Sequence, residues 1–127
     1  MADDPATASI LQSRRILVVE DSPVIALVLD DMLTDLGCIV VGPAQNMAVA
    51  IELAAGETFD AAVIDINIRG GKIYPVAETL RDRGIPFLLA SGYADWTMPP
   101  EWQERPRLTK PYTIETVERA LKTLFEA

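Results

Sequence analysis

Short apolar runs alternate with segments of helical character along this chain, and that alternation constrains the fold more than any other feature. The runs cover residues 15–20, 38–42, 59–64, 85–90 and 107–109. The first four are rich in Val, Ile, Leu or Ala and too short for helices. Such runs read as strands covered on both faces. Strand-then-helix repeated in this way predicts a doubly wound parallel sheet, and right-handed crossovers leave few topologies. A chain of 127 residues has material for one domain with one sizeable core.

Local signals punctuate the alternation. Ser22-Pro23 opens a first helix, with Ser22 as N-cap and Pro23 at its first position. Val24, Leu27, Val28, Asp31 and Leu33 sit near helical spacing on it, and Gly37 closes it as a left-handed cap. Residues 43–45 read as a loop. Asn46 caps a second helix, with Met47, Ala50, Ile51 and Ala54 on one face and Gly56 as its stop. Tyr74-Pro75 starts a third helix that runs to residues 83–84. Thr113 caps the last, whose buried stripe is Ile114, Val117, Leu121 and Leu124. Residues 91–106 hold Gly92, Pro99, Pro100, Pro106 and both tryptophans. Pro99-Pro100 would break a full helix there, so the fourth helix is expected to be short or irregular. Trp96 and Trp102 read as pins for that loop or as anchors for a partner. Residues 1–13 are small, polar and acidic and read as a flexible tail, with the folded domain over residues 14–127.

Charge and composition exclude several functions. Eleven basic residues against 19 acidic ones give a net charge of −8, which argues against nucleic-acid binding and against docking on anionic membranes. No run of apolar residues is long enough for a membrane-spanning helix, and the first dozen residues lack a secretion-signal pattern. The single cysteine, Cys38, reads as buried packing; it excludes an internal disulfide and fits a reducing cytoplasm. There is no histidine at all. Histidine general-base catalysis, histidine metal ligation and a phosphohistidine on this chain are therefore excluded. In any phosphoryl relay, the donor histidine belongs to another molecule.

Glu20, Asp21, Asp65, Ser91 and Lys110 each fall at or just after the end of a predicted strand. All strand ends in a parallel sheet point the same way, so these groups converge on one cleft. Clustered carboxylates repel, and a divalent cation relieves the repulsion. Oxygen ligands with retained waters suit Mg²⁺. An aspartate can form an acyl phosphate, a lysine ammonium can neutralise charge on the phosphoryl oxygens, and a serine hydroxyl can hydrogen-bond one of them.

The segments Val19-Glu20-Asp21-Ser22, Val63-Ile64-Asp65, Ala90-Ser91-Gly92 and Thr109-Lys110-Pro111-Tyr112 resemble the receiver domain of two-component response regulators. The resemblance spans about residues 15–125. It implies a flavodoxin-like five-stranded sheet of order 2-1-3-4-5, with Asp65 as phosphoacceptor. It further implies Asp21 as a direct Mg²⁺ ligand, Glu20 acting mainly through a water, and the backbone carbonyl of Asn67 completing the protein ligands. Ser91 becomes the switch hydroxyl and Lys110 the phosphoryl-binding cation, with a cis bond before Pro111. Leu89-Ala90-Ser91-Gly92-Tyr93, with Tyr74-Pro75-Val76-Ala77, is similar to a stand-alone subclass that carries a Phe-Ala-Thr-Gly-x-Tyr-like motif.

Two features depart from the common pattern. Arg107 stands where receivers often carry a rotating aromatic, and the stretch after Ser91 lacks a good fourth helix. Residues 92–106 are therefore the expected mobile output element. The expected function is that of a cytoplasmic single-domain response regulator, non-enzymatic beyond its own phosphorylation and dephosphorylation. A histidine kinase or histidine phosphotransfer protein would supply the phosphoryl group. Only Glu126-Ala127 follow Phe125, so no effector domain is expected, and output would run through contact with a downstream protein or through phosphate transfer. Side chains two positions beyond the acceptor and the hydroxyl, Asn67 and Tyr93, would tune the acyl-phosphate lifetime. The rivals are an aspartate-based small phosphohydrolase and a receiver-like binding module that is never phosphorylated.

Overall fold

A computed structural model of the chain describes residues 10–92 and 98–126. Its first half runs β1 (Arg15–Val19), α1 (Pro23–Asp35), β2 (Ile39–Ala44), α2 (Met47–Gly56) and β3 (Ala61–Asp65). Two short strands follow, β4 (Asn67–Ile68) and β5 (Gly71–Lys72), then α3 (Tyr74–Asp82) and β6 (Phe87–Ser91). A 3-10 turn (Pro100–Trp102), β7 (Arg107–Thr109) and α4 (Ile114–Glu126) follow. The main sheet has the order β2-β1-β3-β6-β7, with every pair parallel. With the small antiparallel β4–β5 hairpin set aside, this is the expected 2-1-3-4-5 order.

The central strands are apolar on both faces because helices cover both. Leu17, Val19, Ala62, Ile64, Phe87 and Leu89 belong to one core cluster, with Ala50, Ala54, Val76 and Leu80 of α2 and α3. Their alternate neighbours Ile16, Val18, Ala61, Val63, Leu88 and Ala90 belong to the other, with Leu29, Leu33, Val117 and Leu121 of α1 and α4. The period of two along each strand thus feeds two cores, one on each side of the sheet.

The caps stand where the local signals put them. Ser22 Oγ accepts from the Ile25 N–H, Asn46 Oδ1 from the Val49 N–H and Thr113 Oγ1 from the Thr116 N–H. Gly37 adopts φ +89°, as a left-handed cap requires.

Several expectations need correction. α1 buries Ala26, Leu29 and Leu33, while Val24 and Leu27 are 71% and 62% exposed. The helix is apolar almost all round, so periodicity alone does not choose its buried stripe. On α2 Ala50 and Ala54 face the core and Ile51 faces outward, because small side chains let the helix lie close to the sheet. β2 continues through Pro43 to Ala44, past a register irregularity between Leu17 and Val19. β2 is an edge strand, where a proline is tolerated. Residues 10–13, counted with the tail on sequence grounds, form a turn that places Leu11 fully in the core. The described part of the fourth crossover is the 3-10 turn at Pro100–Trp102, in line with the proline-based expectation; Tyr93 and Trp96 lie outside the described residues.

Cys38 is packed as expected. Its Sγ–H donates to the Leu11 carbonyl at 3.6 Å, and burial pushes the thiol pKa up to about 11. At mildly alkaline pH, iodoacetamide should alkylate it on the order of a hundredfold more slowly in the folded chain than in urea. Equal rates in the two states would show that the turn over residues 10–13 does not cover it.

Candidate functional site

Among the described residues, three polar or charged side chains are buried: Glu20, Asp65 and Ser91, at 1%, 5% and 1% exposure. All three lie at the carboxyl end of the main sheet. Glu20 follows β1, Asp65 ends β3 and Ser91 ends β6, while Lys110 follows β7. The parallel pairing brings these strand ends together, since Ile64 registers with Val19, Asp65 with Ala90 and Ser91 with Thr109.

Lys110 ties the group together. Its Nζ donates to Asp65 Oδ2 at 2.7 Å and lies 2.8 Å from Glu20 Oε1, an ion pair outside hydrogen-bonding angles. Asp65 Oδ1 accepts from the Asn67 N–H at 3.0 Å, and Glu20 Oε2 from the Ser22 N–H at 3.1 Å. Asp21 is half-buried beside them. Glu20, Asp21 and Asp65 can each offer an oxygen within 4.8 Å of the other two. The peptide bond before Pro111 is cis, as expected.

The electrostatics follow from burial and imbalance. Burial raises the pKa of Glu20, more than Lys110 and the Ser22 N–H lower it. Burial also disfavours the Lys110 ammonium, but the hydrogen bond to Asp65, the close contact with Glu20 and the charges of both outweigh it, so the Lys110 pKa is raised. Burial, then the Glu20 and Asp65 charges, raise the Tyr112 hydroxyl far above its usual range. Tyr112 thus stays neutral beside the cluster. One ammonium faces three carboxylates, which leaves an excess of negative charge on hard oxygen donors. That donor set fits a divalent cation of the Mg²⁺ type. Ser91 Oγ is buried with no hydrogen-bond partner among the described residues. An unsatisfied buried hydroxyl is costly and suits a site that receives a ligand oxygen.

Asn67 borders a cleft of about 390 Å³ with Asp21, Ile68, Arg69, Gly71 and Lys72. The structure thus gathers Glu20, Asp21, Asp65 and Lys110, with Ser91 on the neighbouring strand end and Asn67 at the lip. Arg107 is an exposed residue of edge strand β7, and its guanidinium donates to the Gln103 carbonyl at 3.2 Å. Sequence reasoning missed Lys72, whose Nζ donates to Asn67 Oδ1. It also gave no role to Tyr112. Lys72 reaches the site only because residues 67–72 fold back as a hairpin, and the Gly70-Gly71 pair was its one sequence signal.

The family model for the response regulator receiver domain matches residues 16–122. The chain belongs to that family. Among solved structures, this receiver is similar to SdrG from Sphingomonas melonis Fr1, a solution structure, at 38% identity and a TM-score of 0.79. That match covers 92% of this chain and 99% of SdrG. The BeF3-activated conformation of SdrG, from Pseudomonas melonis Fr1, matches at 42% identity and a TM-score of 0.74, over 87% of this chain and 95% of that one. A response regulator receiver protein from Sinorhizobium medicae WSM419 matches at 28% identity and 0.76, over 92% and 98%. No curated protein matches the receiver's sequence.

Proposed function

We propose that this receiver accepts a phosphoryl group on Asp65 from a phosphohistidine of another protein and passes the signal on by protein contact or phosphate transfer. The observation that carries the reading is the convergence of the buried Glu20 and Asp65 on one lysine, Lys110, with the buried Ser91 at the neighbouring strand end. An Asp65 carboxylate oxygen attacks phosphorus, the phosphorus–nitrogen bond to the donor imidazole breaks, and its electron pair stays on that nitrogen. Lys110 is placed to neutralise charge on the phosphoryl oxygens, and the Ser91 hydroxyl to donate to one of them once the group is attached. Glu20, Asp21, Asp65 and the Asn67 carbonyl would hold Mg²⁺, which supplies further neutralisation of the same charge.

The donor is a histidine kinase or a histidine phosphotransfer protein, since this chain has no histidine. The exposed Val24 and Leu27 offer it an apolar surface. Val28, a turn beyond Val24, also lines a groove of about 470 Å³ with Lys110, Pro111 and Tyr112. A cytoplasmic setting belongs to this reading. Asn67 stands where a small phosphohydrolase of the aspartate type would need its second acid, which disfavours that rival. The reading includes no enzymatic turnover beyond gain and loss of the domain's own phosphoryl group.

Intact-mass spectrometry after acetyl phosphate treatment tests this. One phosphoryl group should appear in Mg²⁺ and map to the peptide carrying Asp65. Chelation with EDTA should cut the yield to about a tenth or less. Labelling on another residue, or labelling indifferent to EDTA, would refute the assignment.

A further inference from the structure

The β4–β5 hairpin sets two cations beside the acceptor. Arg69 and Lys72 line the cleft that Asp21 and Asn67 also border, and the Asn67 N–H donates to Asp65 Oδ1. The hairpin tip is held in place. The Met47 N–H donates to the Arg69 carbonyl at 2.9 Å, and a Cβ on Gly70, at φ +107°, would stand 2.9 Å from the Met47 Cβ. Only glycine lets the tip lie that close to the start of α2. Arg69 and Lys72 are both exposed, and neither forms an ion pair with a carboxylate of the described residues. Lys72 meets the neutral amide oxygen of Asn67 instead. Arg15, Arg81, Lys110 and Lys122, by contrast, each have an acidic partner.

The charges of the site itself nearly cancel. Glu20, Asp21 and Asp65 supply three carboxylates, which Lys110 and the Mg²⁺ they are suited to hold would balance. Net attraction for an anion therefore comes from the hairpin. We infer that Arg69 and Lys72 are specificity residues that select phosphodonors by charge, drawing in dianionic donors ahead of donors with less negative charge. The inference rests on the phosphorylation of Asp65 proposed above. The two cations act on the approach of the donor and leave the transfer itself unchanged. With acetyl phosphate, an Asp65 oxygen attacks phosphorus, the bond from phosphorus to the acetyl oxygen breaks, and acetate leaves with the electron pair. With phosphoramidate, the phosphorus–nitrogen bond breaks and ammonia leaves. At neutral pH acetyl phosphate is a dianion, whereas phosphoramidate is a zwitterion of half that net charge. Each lost cation thus costs the first donor about twice the free energy that it costs the second, and salt screens both effects. The same pair repels Mg²⁺, so its removal acts on that ion with the opposite sign.

The experiment follows labelling rates by intact mass with each donor and Mg²⁺, for wild type, the Arg69→Met/Lys72→Met double variant and the charge-keeping Arg69→Lys/Lys72→Arg double variant. Isothermal titration calorimetry with Mg²⁺ and no donor gives a readout apart from labelling. At an ionic strength of about 0.02 M, the methionine pair should slow labelling by acetyl phosphate about tenfold and by phosphoramidate about threefold. In ~0.5 M NaCl both losses should shrink to less than about twofold. Mg²⁺ should bind the methionine pair about fivefold more tightly than wild type at the lower ionic strength. The charge-keeping pair should restore the wild-type ratio of the two donor rates. Equal losses for the two donors, losses that survive ~0.5 M NaCl, or Mg²⁺ binding no tighter than in wild type would overturn the inference, since each speaks against an effect of charge. So would unchanged rates with acetyl phosphate, or a charge-keeping pair that discriminates between donors no better than the methionine pair. In all these cases labelling on the Asp65 peptide leaves the proposed function standing, whereas no labelling of wild type by either donor would remove both.

Discussion

Asp65→Asn should abolish phosphoryl uptake from acetyl phosphate, to below detection by intact mass, while the chain stays folded. The side chain is almost the same size, so packing at the end of β3 is kept. What is lost is the nucleophile, since an amide has no oxygen that can form a stable acyl phosphate. The Lys110 ammonium keeps Glu20 as a partner 2.8 Å away, and the repulsion among the three neighbouring carboxylates falls by one member. Loss of the Asp65 ion pair and relief of that repulsion oppose each other, so in EDTA the melting temperature should move little. Circular dichroism gives the fold check. Residual labelling of Asp65→Asn at wild-type yield would mean that another residue is the acceptor, and the site assigned here would be wrong.

The largest effect on stability is expected at Trp102. It is 1% exposed and stacks on Tyr74 with ring centroids 6.0 Å apart and planes 9° from parallel. Phe87 lies 6.2 Å away at a tilt of 56°, and the guanidinium groups of Arg81 and Arg105 sit over the indole at 5.2 and 5.7 Å. This one side chain fastens the 3-10 turn, which leads into β7, against α3 and β6. Trp102→Ala removes the indole and leaves a cavity that its surroundings fill only in part, at a cost of about 3–5 kcal/mol. That is a large share of the stability of a domain this size. Urea denaturation measures it: the midpoint should fall steeply with an unchanged slope. A loss below about 1 kcal/mol would show that the turn is held by something other than the tryptophan. Because Trp102 is buried, it acts as a pin for the loop, the first of the two roles its sequence allowed.

The site was more legible than its surroundings. Glu20, Asp65, Ser91 and Lys110 could be located because each ends or follows an apolar run, and parallel strands must gather their carboxyl ends. The caps at Ser22, Asn46 and Thr113 were legible because each depends on atoms three residues away. The buried face of α1 was not. Val24, Leu27 and Val28 are as apolar as Ala26, Leu29 and Leu33, and only the sheet against which the helix packs distinguishes them. Pro43 read as a loop residue, yet it lies in a strand whose outer edge needs no partner. Lys72 carried no signal beyond the Gly70-Gly71 pair before it, since its position depends on where a six-residue hairpin returns.

The chain alone thus determined the order of elements, their ends and the set of polar groups at the strand tips. Those features rest on interactions between near neighbours and on a repeat that allows few arrangements. The tertiary structure decided which stripe of each helix is buried, that Leu11 belongs to the core, that Trp102 closes the fourth crossover, and that Lys72 holds Asn67. Each of these is a contact between segments that close packing brings together and that sequence spacing does not specify.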